Sequence, residues 1–138
     1  MFEVWWKITE EMIMKKLLPI FLLLFSINGY CEWTPSDSDN DGRGYIDYST
    51  IKRSSNIVKI WELIDYKNPQ KYNSLTYKSI VSLREYDCSN EKVRGLSISY
   101  FSDSMGKGNP VNIVNQPSDW MYLPPGSMGL SKLKSVCK

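Results

Sequence analysis

How three cysteines can pair restricts the fold of this chain more than any other feature. They stand at Cys31, Cys88 and Cys137. Which of them remain in the folded protein depends on Leu17 to Ile27 (LLPIFLLLFSI), eleven uncharged residues directly behind Lys15-Lys16. A short apolar stretch after a basic pair is the pattern of a secretory signal. A membrane-spanning helix needs roughly 20 apolar residues, and here Asn28-Gly29 ends the run. Export signals are basic ahead of the apolar stretch, yet Glu3, Glu10 and Glu11 precede the lysines. Met14 is therefore read as the true start, and residues 1–31 as the segment removed. Gly29 and Cys31 put small residues third and first before a cut, leaving Glu32-Trp33 as the mature N-terminus. The alternative is a lipoprotein signal with Cys31 as the lipidated first residue, against which the bulky Tyr30 argues.

With Cys31 gone, an even pair remains in an oxidising compartment, where disulfides persist. A Cys88–Cys137 bridge closes a loop of 50 residues. The chain-entropy argument gives such a loop roughly 4 kcal/mol, comparable to much of a small domain's net stability. Two thiols so far apart, without CxxC spacing, do not read as a redox or metal pair. The chain has no histidine, which excludes Ser-His-Asp and Cys-His catalysis and every His-based metal site. A formal charge of +2 gives no electrostatic case for nucleic-acid binding. No enzyme and no cofactor is expected.

Residues 32–138 form one domain with a modest core. Thr34 to Gly44 (TPSDSDNDGRG) is polar and glycine-containing, so an exposed loop is expected there. Asn56 to Ile64 reads as a central strand covered on both sides. Ile57, Lys59, Trp61 and Leu63 share one of its faces, and Val58, Ile60 and Ile64 the other. Leu75 to Tyr86 and Lys92 to Phe101 alternate, and Cys88 to Glu91 between them reads as a hairpin turn. Phe101 to Pro110 is a turn cluster, with short strands expected at Val111–Val114 and Trp120–Leu123. After Pro124-Pro125-Gly126, residues Leu130, Leu133 and Cys137 follow at i, i+3 and i+7, one face of a helix. Ser127 is its expected N-cap. The predicted fold is α+β, an antiparallel sheet of about six strands with a C-terminal helix that the disulfide pins to it.

Asp37-Ser38-Asp39-Asn40-Asp41-Gly42 matches the first half of a calcium loop. Alternate carboxylates before a glycine turn can converge on a hard cation. The second half fails, because position twelve is Tyr48 and position eight is Gly44. A solvated acidic loop is the reading, with Asp37, Asp39 and Asp41 as the alternative metal ligands. Glu85 and Asp87 flank Tyr86 and share a strand face; paired carboxylates can hydrolyse glycosides, but no cleft-forming segment surrounds them. Tyrosines interleaved with lysines suit a contact surface as well as a core. Lys71, Tyr72, Tyr77 and Lys78 are the candidates for an exposed ligand-binding patch.

Tyr45-Ile46-Asp47, Ile51, Val58 to Leu63, Glu85-Tyr86-Asp87-Cys88, Arg94, Leu96 and Tyr100 follow one another in an order that resembles the bacterial surface-adhesin protein E-like family. Met105, Gly108, Val111, Trp120, Pro125-Gly126-Ser127 and Val136-Cys137 complete the series. The resemblance implies an antiparallel sheet with a tethered C-terminal helix in a Gram-negative envelope protein, in the periplasm or on the outer-membrane surface. It implies a non-enzymatic adhesin for host extracellular-matrix or serum proteins such as vitronectin and laminin, with haem binding and a homodimer in the family's range. The alternative function is a small periplasmic accessory domain without a host ligand. The matching residues Trp61, Cys88, Trp120 and Cys137 are framework, so the resemblance transfers no ligand contact.

Overall fold

The computed structural model describes residues 31–138. The expected export signal, with Met14 and the Leu17–Ile27 run, lies outside them. Seven strands run β1 (Thr34–Ser38), β2 (Gly42–Ser54), β3 (Ile57–Tyr72), β4 (Leu75–Asp87), β5 (Lys92–Phe101), β6 (Pro110–Val114) and β7 (Met121–Tyr122). One helix, α1 (Met128–Val136), ends the chain. Strands β1 to β6 lie side by side in chain order, each antiparallel to the last, and β7 pairs with the start of β5. Short turns make this meander. Ser55, Asn73 and Glu91 adopt left-handed φ at the β2–β3, β3–β4 and β4–β5 reversals, the backbone that tight hairpins require.

The expected loop at Thr34–Gly44 is instead a hairpin. Asp39 accepts hydrogen bonds from the N–H groups of Asp41 and Gly42, closing a turn between β1 and β2. These two bonds also hold the Asp39 carboxyl below its usual range. Strand β1 is polar because it is an edge and buries little, so alternation of apolar residues never marks it. A Cβ at Gly44 would lie 2.1 Å from an Asp37 carboxylate oxygen, so a larger residue there would push the Asp37 side chain aside.

The helix packs on one face of the sheet through Leu130, Leu133 and Val136. Beneath it lie Ile46, Val58, Ile60, Tyr86 and Val93, all nearly inaccessible. Ser127 caps the helix as expected, its hydroxyl accepting from the Leu130 N–H. Cys88 and Cys137 are bonded, with Cα atoms 5.8 Å apart, tying the helix end to the β4–β5 turn. On the opposite face a 3-10 turn, Ser104–Gly106, closes over Leu63 and Val81. Ser79 Oγ donates to the Asp103 carbonyl and accepts from the Gly106 N–H, while the Met105 N–H donates to Asp65. Strand β3 is thus covered on both sides as far as Leu63. Among the described residues no helix is long and apolar enough to cross a membrane.

Candidate functional site

Element lengths decide which part of the sheet can be covered. Strand β3 has 16 residues and β4 has 13, so they reach roughly 40–50 Å at about 3.3 Å per residue. The helix has nine residues, roughly 14 Å at 1.5 Å each. It cannot shield the whole face. On β3, Val58, Ile60, Glu62, Ile64 and Tyr66 alternate onto the helix side, and Ile64 lies in register with Ile80 and through it with Tyr100. The helix covers the first two of these, and the face beyond Glu62 is left open.

That open half carries a ladder of four tyrosines. The Tyr66 and Tyr77 rings meet edge to face at 5.9 Å, and Tyr77 meets Tyr100 in the same way at 5.0 Å. Tyr72 stacks on Tyr100 at 6.3 Å with the rings only 5° from parallel. Such pairs add about 0.5–1.5 kcal/mol beyond burial, so the ladder is a preformed surface. Tyr72 is 55% exposed at its outer end, while Tyr66, Tyr77 and Tyr100 are half-buried. Burial first, then the Tyr77 phenol, raises both Tyr66 and Tyr100 above the ordinary tyrosine range. The Tyr66 and Tyr100 hydroxyls are therefore neutral donors and acceptors.

Between the covered and open halves sits a charged junction. Glu62 is 1% exposed, and the Tyr86 hydroxyl donates to its Oε1. Lys132 of the helix reaches Glu62 Oε2 at 3.5 Å and Asp37 Oδ1 at 3.6 Å. Arg84 approaches the same Glu62 oxygen at 3.8 Å. A buried charge needs such company, because removing one partner leaves the other uncompensated. Beside this junction a cavity of about 230 Å³ opens between the helix start and the β1–β2 hairpin, lined by Asp37, Arg43, Ile64, Tyr66, Met128 and Lys132.

The four residues singled out as a ligand patch fall on the far end of the β3–β4 hairpin. Lys71 and Tyr72 are exposed, whereas Tyr77 and Lys78 are half-buried. The fold brings both tyrosines onto the ladder, whose other members, Tyr66 and Tyr100, the sequence reading missed. Their alternation with Ile64 and Ile98 was the available signal. Asp37, Asp39 and Asp41 do separate jobs. Asp37 pairs with Lys132, Asp39 closes the turn, and Asp41 is exposed. Among the described residues no three acidic or thiol groups cluster to hold a metal.

Glu85 and Asp87 are likewise occupied. Glu85 pairs with Arg94 at 2.6 Å, and Asp87 accepts from the N–H groups of Ser89 and Asn90 and the amides of Asn56 and Asn90. The Asn90 side chain and then these other donors keep Asp87 below the usual carboxylate range, offsetting the opposing effect of desolvation. Asp47 is buried and accepts from Ser49 and from the Cys31 thiol at 2.9 Å. Partial burial, then that carboxylate, pushes the thiol up to about 11.

The profile of the Surface-adhesin protein E family matches residues 33–138. No curated protein sequence matches the chain. Among solved structures, protein E of Haemophilus influenzae is similar, with a TM-score of 0.57 and 16% identity over 75% of this chain and 88% of that one. A second crystal form of that protein gives 0.58 and 16%, covering 75% and 91%. Protein E from a non-typeable strain gives 0.55 and 16%, covering 75% and 79%. At this identity the likeness establishes a common fold.

Proposed function

The chain belongs to the Surface-adhesin protein E family, and on that premise we propose that it is exported, non-enzymatic, and binds a protein ligand through the open half of its helix-side face. The observation that carries this reading is the tyrosine ladder of Tyr66, Tyr72, Tyr77 and Tyr100, left uncovered by the helix. Tyrosine combines a large apolar ring with a polar tip and few rotatable bonds, which suits contact surfaces. The framework residues of the family lie elsewhere. Trp61 points to the opposite face, Trp120 stacks under the Arg94 guanidinium at 4.6 Å, and the cysteines form the bridge.

The experiment is surface plasmon resonance of the domain against immobilised vitronectin and laminin, host proteins of the kind the family resemblance implies. The parent should bind at least one of them, and Tyr72→Ala with Tyr100→Ala should weaken that binding by about tenfold or more. Retained binding in the double variant moves the contact surface elsewhere. Absence of binding by the parent favours an accessory domain without a host ligand.

A further inference from the structure

The cavity beside the charged junction shares only Tyr66 with the tyrosine ladder. Its volume of about 230 Å³ is several times the roughly 30 Å³ share of one liquid water. It falls short of the about 300–1,000 Å³ that drug-sized ligands occupy. There is room for one small ring. Gly44 shapes the wall, because the Asp37 carboxylate lies where a side chain at Gly44 would otherwise stand. The Lys132 side chain, which also lines the cavity, is only 10% exposed. Its ammonium nevertheless stands 3.5 Å from Glu62 and 3.6 Å from Asp37. Both distances exceed the about 2.7–2.9 Å of a charge-assisted hydrogen bond. Among the described residues Lys132 is thus matched in charge but left without a close acceptor for its N–H groups.

Charge excludes two classes of ligand. An anion drawn to Lys132 would also meet Asp37 and Glu62. A cation drawn to these carboxylates would compete with Lys132, and Glu62, 1% exposed, would lose compensation for its buried charge. What fits is a neutral group that both donates and accepts, which a hydroxyl does. It can donate to the Asp37 carboxylate and accept from the Lys132 ammonium at once. Burial, then the Tyr77 phenol, keeps the Tyr66 hydroxyl protonated, so it too can act either way. Ile64, Met128 and the Tyr66 ring make up the apolar part of the lining.

We propose that this cavity binds one neutral pyranose ring, with adjacent hydroxyls shared between Asp37 and Lys132 and its C–H face against Ile64, Met128 and Tyr66. An apolar lining with a few convergent polar groups is how small-molecule sites fix orientation. A neutral sugar leaves the charges of the junction in balance, so salt should not weaken its binding. The site is separate from the protein-binding surface proposed above and does not rest on it.

The test is titration of the purified protein with glucose, galactose, mannose and N-acetylglucosamine, followed by amide chemical shifts. So few contacts imply a Kd of about millimolar order. At least one sugar should shift amides in Asp37–Gly44, Ile64–Tyr66 and Met128–Lys132, saturably and equally at about 20 mM and about 500 mM salt. Asp37→Asn should weaken this binding about tenfold by replacing a charged acceptor with a neutral one. Met128 is 46% exposed, so Met128→Trp should fill the cavity and abolish the shifts while the thermal midpoint holds. Tyr72→Ala with Tyr100→Ala should leave the shifts in place, because neither residue lines the cavity. Loss of sugar binding in that double variant would put the sugar on the ladder and overturn the proposal. Undiminished binding by Met128→Trp, or no shift with any of the four sugars, would also overturn it. Shifts at these amides with alanine alone would make the site one for a zwitterion, and shifts with glucose 6-phosphate alone, lost at the higher salt, one for an anion; either result rejects the neutral sugar.

Discussion

On the covered half of the helix-side face the sheet presents Ile46, Val58, Ile60 and Val93, and on the open half it presents Tyr66, Tyr77, Tyr100 and Tyr72. Strands β3, β4 and β5 contribute to both, and β2 adds Ile46 to the covered half. The difference lies in what must lose water. Aliphatic side chains gain only by complete burial, about 1.5–3 kcal/mol each, and the helix with its disulfide supplies the lid. Tyrosines keep a hydrated hydroxyl while their rings shield one another, so their half holds its shape without a lid. Glu62 stands where the two regimes meet, its charge answered by Lys132, Arg84 and Tyr86. One half stores stability. The other is left to make contacts.

The sharpest way to break this contrast is to release the lid. Replacing Cys88 and Cys137 with Ser should cost about 4 kcal/mol, because the bridge closes a long loop in the unfolded chain. For a domain of this size that lowers the melting temperature by roughly 15–30 °C, measurable by calorimetry. A drop of only a few degrees would mean that the helix holds the covered half without its tether. Next in size is Leu133→Ala, at a position 3% exposed. It should cost about 3 kcal/mol, within the range for large-to-small core changes. Denaturant melts of the bridged protein would separate this packing loss from the loss of the tether.

A smaller effect sharpens the boundary between the halves. Burial, then the Glu62 charge and hydrogen bond, pushes the Tyr86 phenol far above its ordinary value of 10.0. The folded state therefore keeps a proton that the unfolded chain releases above that pH. Stability from this group is full below pH 10 and declines as pH rises beyond it, by up to about 1.4 kcal/mol per pH unit. Urea melts between pH 9 and 11 should show that slope, and Tyr86→Phe should flatten it. An unchanged slope in the variant would place the alkaline sensitivity elsewhere.

Much of this division can be read in the sequence. Strands β3 to β5 and the helix announce themselves through alternation and the i, i+3 spacing of Leu130 and Leu133, and the disulfide follows from cysteine parity. Strand β1 does not, because a polar edge held by the Asp39 turn has no apolar period to detect. Glu62 escaped notice because it sits between Ile60 and Ile64, where the pattern is read from the apolar residues around it. The ladder was half legible. Tyr72 and Tyr77 stand out beside their lysines, but their contact with Tyr100 depends on register across β3, β4 and β5. The irregularity between Asp65 and Gln70 shifts that register in a way no local pattern records.

The smallest expected effect on stability comes from Tyr72→Ala, and it separates the two halves most cleanly. Tyr72 is 55% exposed and stacks on Tyr100 at the rim of the ladder. Surface substitutions usually move stability by about 0.5 kcal/mol or less, and loss of one stacked pair adds a comparable amount. The melting temperature should therefore fall by only a few degrees, against the much larger fall for Leu133→Ala. Ligand binding should respond in the opposite order, falling about tenfold for Tyr72→Ala and holding for Leu133→Ala at temperatures where that variant remains folded. Both measurements on both variants are needed. If Tyr72→Ala destabilises the domain as much as Leu133→Ala, the ladder is core and the open half is not a contact surface.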